Sequence, residues 1–165
     1  MRKKFDEWLS TFKDSIAGWD YYTDFEKAYI NVDKIKIELS ILNSLIGEKD
    51  IENKFRSIIK TYPNVLTAIP ILLAKREHEL SINDAKGTIN YRFSGKINSE
   101  DEYVLLMHKM GLFDLISNHI ISNLIDYVTG VEVGLDSNAR KNRTGTSMEN
   151  IVEYFIKEIM NENVT

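Results

Sequence analysis

Both prolines of this chain fall between positions 63 and 70, so nothing before Pro63 or after Pro70 imposes the backbone break that proline forces on a helix. Long helices are therefore open to most of the sequence, and the apolar spacing uses that freedom. Phe25, Ala28, Tyr29, Val32, Ile35, Leu39, Leu42 and Ile46 recur at three- and four-residue intervals, the signature of one helix face, with Gly47 as its stop. Lys4 to Ile16 and Asp50 to Tyr62 read as two shorter amphipathic helices, the second closed by Pro63. Asn64 to Leu73 follows as a short buried helix.

Between Glu79 and Phe93 the period changes. Leu80, Ile82, Ile89, Tyr91 and Phe93 alternate with polar residues around Asn83-Asp84-Ala85-Lys86-Gly87, which predicts a β-hairpin. Ser99 and Glu102 make a capping signature for a helix to Met110, ended by Gly111, and Leu112 to Tyr127 reads as helical again. The expected fold is mainly α: a multi-helix domain over 1–128 with a small hairpin near 79–93, then a segment 129–165.

That last segment is where the charge departs from the rest. The chain of 165 residues carries a formal charge of -4, which excludes a strongly basic nucleic-acid binder as a description of the whole molecule. Yet Ser137 to Met148 holds Arg140, Lys141 and Arg143 and no acid, a local excess of three positive charges. Asp136 to Gly145 has no apolar period and is expected to be a loop, preceded by a short strand at Val131 to Leu135. Thr146 and Glu149 spell a capping box, so a helix is expected from Ser147 with Met148, Ile151, Val152, Phe155, Ile156 and Ile159 on its apolar face.

A cationic loop running into a helix N-terminus is favourable for phosphate, and Arg and Asn side chains also match base edges. Two readings stay open from composition: phosphate contact, or a solvated basic loop offsetting an acidic chain. Glu149 and Glu153, one turn apart, are explained by the capping box and ordinary exposure. His78, His108 and His119 lack metal-ligand spacing and read as surface or packing residues. Trp19, Tyr21, Tyr22, Phe25 and Tyr29 could stack on bases, but an aromatic group at a helix entry is expected to be core. Without cysteine there are no disulfides, thiolate metal sites or cysteine nucleophiles. No glycine-rich nucleotide loop or serine elbow is present. The longest apolar run, Val65 to Ala74, is too short to span a bilayer, and the expected location is cytoplasmic.

The stretch Thr129-Gly-Val-Glu-Val-Gly-Leu-Asp-Ser-Asn-Ala-Arg-Lys-Asn-Arg-Thr-Gly-Thr-Ser-Met-Glu149 resembles the signature segment of the DpnII/MboI-like type II restriction endonucleases, which cut DNA at GATC. Phe5-Asp-Glu-Trp-Leu-Ser-Thr11, Tyr21-Tyr-Thr-Asp-Phe25, Asn43-Ser-Leu-Ile-Gly47 and Ile69-Pro-Ile-Leu-Leu-Ala-Lys-Arg76 are similar to the first half of that family, in the same order. The resemblance implies a helical N-terminal region followed by a PD-(D/E)xK nuclease core, of which the last helix here would be the first. It makes Asn138, Arg140, Lys141, Asn142, Arg143 and Thr144 the candidate DNA contacts, and Glu149 or Glu153 a candidate Mg2+-site residue. It also implies double-stranded DNA containing GATC as partner, Mg2+ as cofactor of the complete enzyme but not of this chain alone, and a two-fold dimer. Because the family's later strand carboxylates find no counterpart, the expectation is a truncated chain unable to cut DNA by itself. The competing expectation is a non-catalytic DNA-binding or protein-interaction module.

Overall fold

In a computed structural model of the chain, the described residues are Lys4, Asp6, Glu7, Ser10, and those numbered 23–84, 87–97 and 99–162. They form α1 (Phe25–Asp33), α2 (Lys36–Leu42), a 3-10 turn (Asn43–Leu45), α3 (Ile51–Thr61), a second 3-10 turn (Pro63–Ala68), and α4 (Ile69–Leu72). Then come β1 (Glu79–Asp84), β2 (Gly87–Arg92), α5 (Glu100–Lys109), α6 (Leu112–Ser117) and α7 (Leu124–Glu162). The chain is mostly helical with a two-stranded antiparallel sheet, as expected. It divides into two compact units, one of residues 26–135 and one of 1–25 with 136–165.

The larger unit holds the apolar core. Leu39, Leu42, Leu45, Phe55, Ile59, Leu66, Leu106, Met107 and Leu112 are almost fully buried, and Phe55 meets Phe113 edge-on at 5.5 Å. Ala28, Val32, Leu39 and Leu42 of the expected face from Phe25 to Ile46 are buried, but the helix is interrupted at Lys34 and Ile35. Periodicity cannot see that break, because Val32 before it and Leu39 and Leu42 after it bury the same side. Gly47 does end the run, at φ +70. His119 lies over it so closely that an added Cβ would come within 2.3 Å of the ring. Ile51 to Thr61 forms a helix that stops before Pro63, as read, whereas Asn64 to Leu73 splits into a 3-10 turn and one turn of α-helix.

At the end of α4, Lys75 N–H donates to the Pro70 carbonyl (3.1 Å) and Ala74 N–H to that of Ile71 (3.0 Å), with Ala74 at φ +56. This is the paired-bond helix stop that usually takes glycine.

The hairpin is where alternation placed it, with Leu80 opposite Tyr91 and Ile82 opposite Ile89. Tyr103 of α5 anchors it: its hydroxyl donates to the Arg92 carbonyl (2.6 Å), and its ring packs on Tyr91 and Phe93. Burial, then the neighbouring Glu102 charge, pushes the Tyr103 hydroxyl pKa up, which keeps it a donor. Ser99 precedes α5, but its side chain makes no capping bond. Leu112 to Tyr127 is not one helix. It breaks after Ser117, and α7 starts behind Asn123, whose Oδ1 accepts from Ile125 N–H (2.8 Å) while Asn43 Oδ1 accepts from Leu124 N–H (2.8 Å).

Of the expected helix Lys4 to Ile16, only Lys4, Asp6, Glu7 and Ser10 lie among the described residues; the first three are helical and Ser10 N–H donates to the Asp6 carbonyl. Trp19, Tyr21 and Tyr22 lie outside the described residues. Phe25 is half-buried, and Tyr29 corrects the expectation of a core aromatic: it is 60% exposed, because it falls on the outer side of α1.

Candidate nucleic-acid interface

The expected strand at Val131 to Leu135 and loop at Asp136 to Gly145 are both helix, part of the single α7. The reason lies in which positions face inward. Leu124, Val128, Glu132 and Asp136 recur every four residues and all are buried, so this step of helical burial continues where its residues are no longer apolar. The buried positions are filled by carboxylates, each with partners. Glu132 accepts from Arg76 Nη2 (2.6 Å), Arg76 Nε (3.2 Å) and Asn31 Nδ2 (3.1 Å). Asp136 accepts from the Asp24 backbone N–H (3.0 Å) and from Arg140 Nε (3.1 Å). A buried charge is tolerable only with such pairing.

The capping box is also absent. Thr146 is in mid-helix and donates its hydroxyl to the Asn142 carbonyl (3.1 Å). The backbone N–H groups of this segment are spent inside α7, so no helix N-terminus is available there to bind an anion. What remains to engage phosphate or bases is side chains alone.

Helix geometry sorts those side chains. At about 100° per residue, Asn138, Lys141, Asn142 and Gly145 share one arc of the surface, while Arg143 lies about 160° from Lys141. Asn138, Lys141, Asn142 and Arg143 are exposed, and neither Lys141 nor Arg143 makes an ion pair among the described residues. Arg140 differs: half-buried, it is tied to Asp136 and lies 3.9 Å from Asp24 Oδ2, so its charge is offset within the chain. Thr144 is helical, and its side chain is outside the described residues.

Glu149 and Glu153 are both exposed, one turn apart. Glu153 Oε1 pairs with Lys157 Nζ at 2.6 Å. Among the described residues no group of three or more His, Asp or Glu converges. Two solvated carboxylates, one held by a lysine, do not fit a Mg2+ site by themselves, since the ion requires near-octahedral oxygen ligation. The histidines behave as read: His108 pairs with Glu52 (2.6 Å) against Phe113, His119 covers Gly47, and His78 is exposed. Met148, Val152 and Ile156 are 44%, 42% and 50% exposed. No helix among the described residues is long and apolar enough to cross a membrane.

Sequence reasoning missed Glu132, Asp136, Arg76 and Asn31, which fix this helix in place. The available signal was two acids continuing the four-residue step of Leu124 and Val128.

A family model described as DpnII restriction endonuclease matches residues 4–165. The chain is similar to the type II restriction enzyme DpnII of Streptococcus pneumoniae, 48% identical over 98% of this chain and 58% of the relative. It is also similar to the type II restriction enzyme MjaIII of Methanocaldococcus jannaschii, 38% identical over 96% of this chain and 57% of the relative. A third relative, the type II restriction enzyme MboI of Moraxella bovis, is 36% identical over 98% of this chain and 60% of its own length. The chain thus spans less than two thirds of the curated relatives it matches. No solved structure matches it. With the family model covering all but the first three residues, the chain belongs to the DpnII restriction endonuclease family.

Proposed function

We propose that this chain is the helical, DNA-engaging part of a type II restriction endonuclease that recognises and cleaves double-stranded DNA at GATC. The observation that carries the proposal is the outward face of α7, where Asn138, Lys141 and Asn142 stand exposed while Arg140 is turned back onto Asp136. Lys141 and Arg143 would take phosphate oxygens, and Asn138 and Asn142, with the Thr144 hydroxyl, would position the backbone or reach base edges. Arg140 would act by holding the helix. The segment from 129 onward would lead into the PD-(D/E)xK core. That core would supply the carboxylates for Mg2+, with Glu149 or Glu153 contributing at most alongside others, and cleavage would need the complete enzyme. A palindromic four-base site suits a two-fold dimer with one half-site per subunit, and a cytoplasmic location fits the substrate.

A gel shift over a range of salt concentrations tests the reading. The chain should bind a GATC duplex at low salt and release it steeply as salt rises, because phosphate contacts displace condensed counterions. No binding at low salt would refute it. Incubation with Mg2+ and a plasmid containing GATC should give no specific cleavage by this chain; specific cuts would show that the active site is encoded within these 165 residues.

A further inference from the structure

The hairpin of the larger unit has an outward face that its fold does not require. Among the described residues, strands β1 and β2 pair only with each other. Leu80 and Tyr91 are buried, and Ile82 and Ile89 half-buried, on the inner face. On the outer face, all exposed, stand Glu79 opposite Arg92, Ser81 opposite Asn90, and Asn83 opposite Thr88. Exposed ribbons are usually guarded by charged side chains, lysine above all. Here the middle of the face is amide and hydroxyl.

These groups are also oriented. Ser81 Oγ donates to Asn90 Oδ1 at 2.7 Å, and Thr88 Oγ1 donates to Asn83 Oδ1 at 2.7 Å. Each bond fixes an amide by its oxygen, leaving the Nδ2 donor with no partner among the described residues and a lone pair on the oxygen. A donor and an acceptor side by side on asparagine are what adenine N7 and N6 take in the major groove. Arg92, 74% exposed, is held among the described residues by one exposed pair, with Glu79 (3.0 Å). Such a pair is weak in water, so the guanidinium can exchange onto guanine or phosphate.

The dimensions agree. A major groove about 12 Å wide admits a two-stranded ribbon. Six residues per strand rise roughly 17 Å, against about 14 Å for a four-base-pair site at 3.4 Å per step.

We propose that the outer face of this hairpin, through Ser81, Asn83, Thr88, Asn90 and Arg92, is a second DNA-contacting element that enters the major groove and reads base edges. The proposal rests on the reading that the chain binds duplex DNA. It gives sequence preference to the ribbon and leaves the salt-sensitive backbone grip to the cations of α7.

The test titrates the chain, by fluorescence anisotropy at low salt, with a GATC duplex and with one of equal length in which the four bases are scrambled. The unaltered chain should favour GATC. The double variant Asn83→Ala and Asn90→Ala should lose about tenfold or more of that preference while keeping the same salt slope, since neither residue is charged. Asn90→Asp keeps an oxygen for the Ser81 hydroxyl and so keeps the hairpin, but replaces the outward donor with a carboxylate. It should weaken binding to both duplexes by at least as much, with unchanged circular dichroism, and it decides the matter if the double variant fails to fold. Unaltered preference and affinity in a folded Asn90→Asp chain would overturn the ribbon proposal and leave the DNA reading standing. Equal binding of the two duplexes by the unaltered chain would do the same. No duplex binding at all would overturn both. A change confined to self-association, seen by light scattering, would assign the ribbon to strand pairing instead and overturn the proposal.

Discussion

Leu124 and Val128 keep the first turns of α7 inward by apolar burial, whereas Glu132 and Asp136, at the same four-residue spacing and equally buried, are held by ion pairs and hydrogen bonds. Burial at this four-residue step runs through both stretches, while apolar residues occupy it only in the first. The difference teaches that a helix face can be specified by where partners wait for a charge as well as by where oil is excluded from water. It also separates failure modes. An apolar position tolerates partial replacement, but a buried carboxylate stripped of its partner, or a partner stripped of its carboxylate, is left uncompensated.

The largest effect should come from the apolar stretch. Leu124→Ala, at a position with no exposure, should cost about 3 kcal/mol of unfolding free energy in urea melts. Glu132→Ala should come next at about 2 kcal/mol, because Arg76 is 41% exposed and water compensates part of the loss. If Glu132→Ala cost nothing, the polar turns would owe their place to something other than these pairs. Gly134→Ala should stabilise by up to about 1 kcal/mol, since an added Cβ meets nothing within 4 Å and alanine is the better helix former. Destabilisation there would argue for the extended backbone that the sequence suggests at Val131 to Leu135.

The smallest effect lies away from α7. The Lys54 ammonium, by hydrogen bond and then by charge, holds the Glu48 carboxyl below its ordinary 4.5. A lowered folded-state pKa adds stability that is present above the unfolded value and lost as pH falls through the folded one. Lys54→Met should therefore lower stability slightly at neutral pH and flatten the acid limb of the profile, with stability below the folded-state pKa of Glu48 nearly unchanged.

Much of the fold was legible in the sequence because its signals are local. Alternation located the hairpin, Gly47, Pro63 and Gly111 marked three stops, and the three-four spacing found the face from Phe25 to Leu42. The breaks at Lys34 and after Ser117 were not legible, since the buried side is the same before and after the first, and the Asn43–Asn123 cap at the second joins residues far apart in sequence. At the candidate interface the sequence reading gave the residues it singled out the wrong backbone. Val131 to Leu135 reads as a strand, and Asp136 to Gly145, with two asparagines, Gly145 and no apolar period, reads as a loop, while the residues that bond to the buried side of the helix, Arg76, Asn31 and Asp24, lie far earlier in the chain. Exposure and pairing then divide the cations that composition had grouped: Lys141 and Arg143 are exposed, on different sides of the helix, and Arg140 is half-buried against Asp136.

That division is most directly tested by measuring GATC-duplex affinity against salt for Lys141→Ala and Arg140→Ala, each paired with a thermal melt. Lys141→Ala should reduce the log–log salt slope by about one with an unchanged melting temperature, and Arg140→Ala should lower the melting temperature through loss of its bond to Asp136. A full-sized slope change in a thermally normal Arg140→Ala chain, with Lys141→Ala silent in both, would contradict the account.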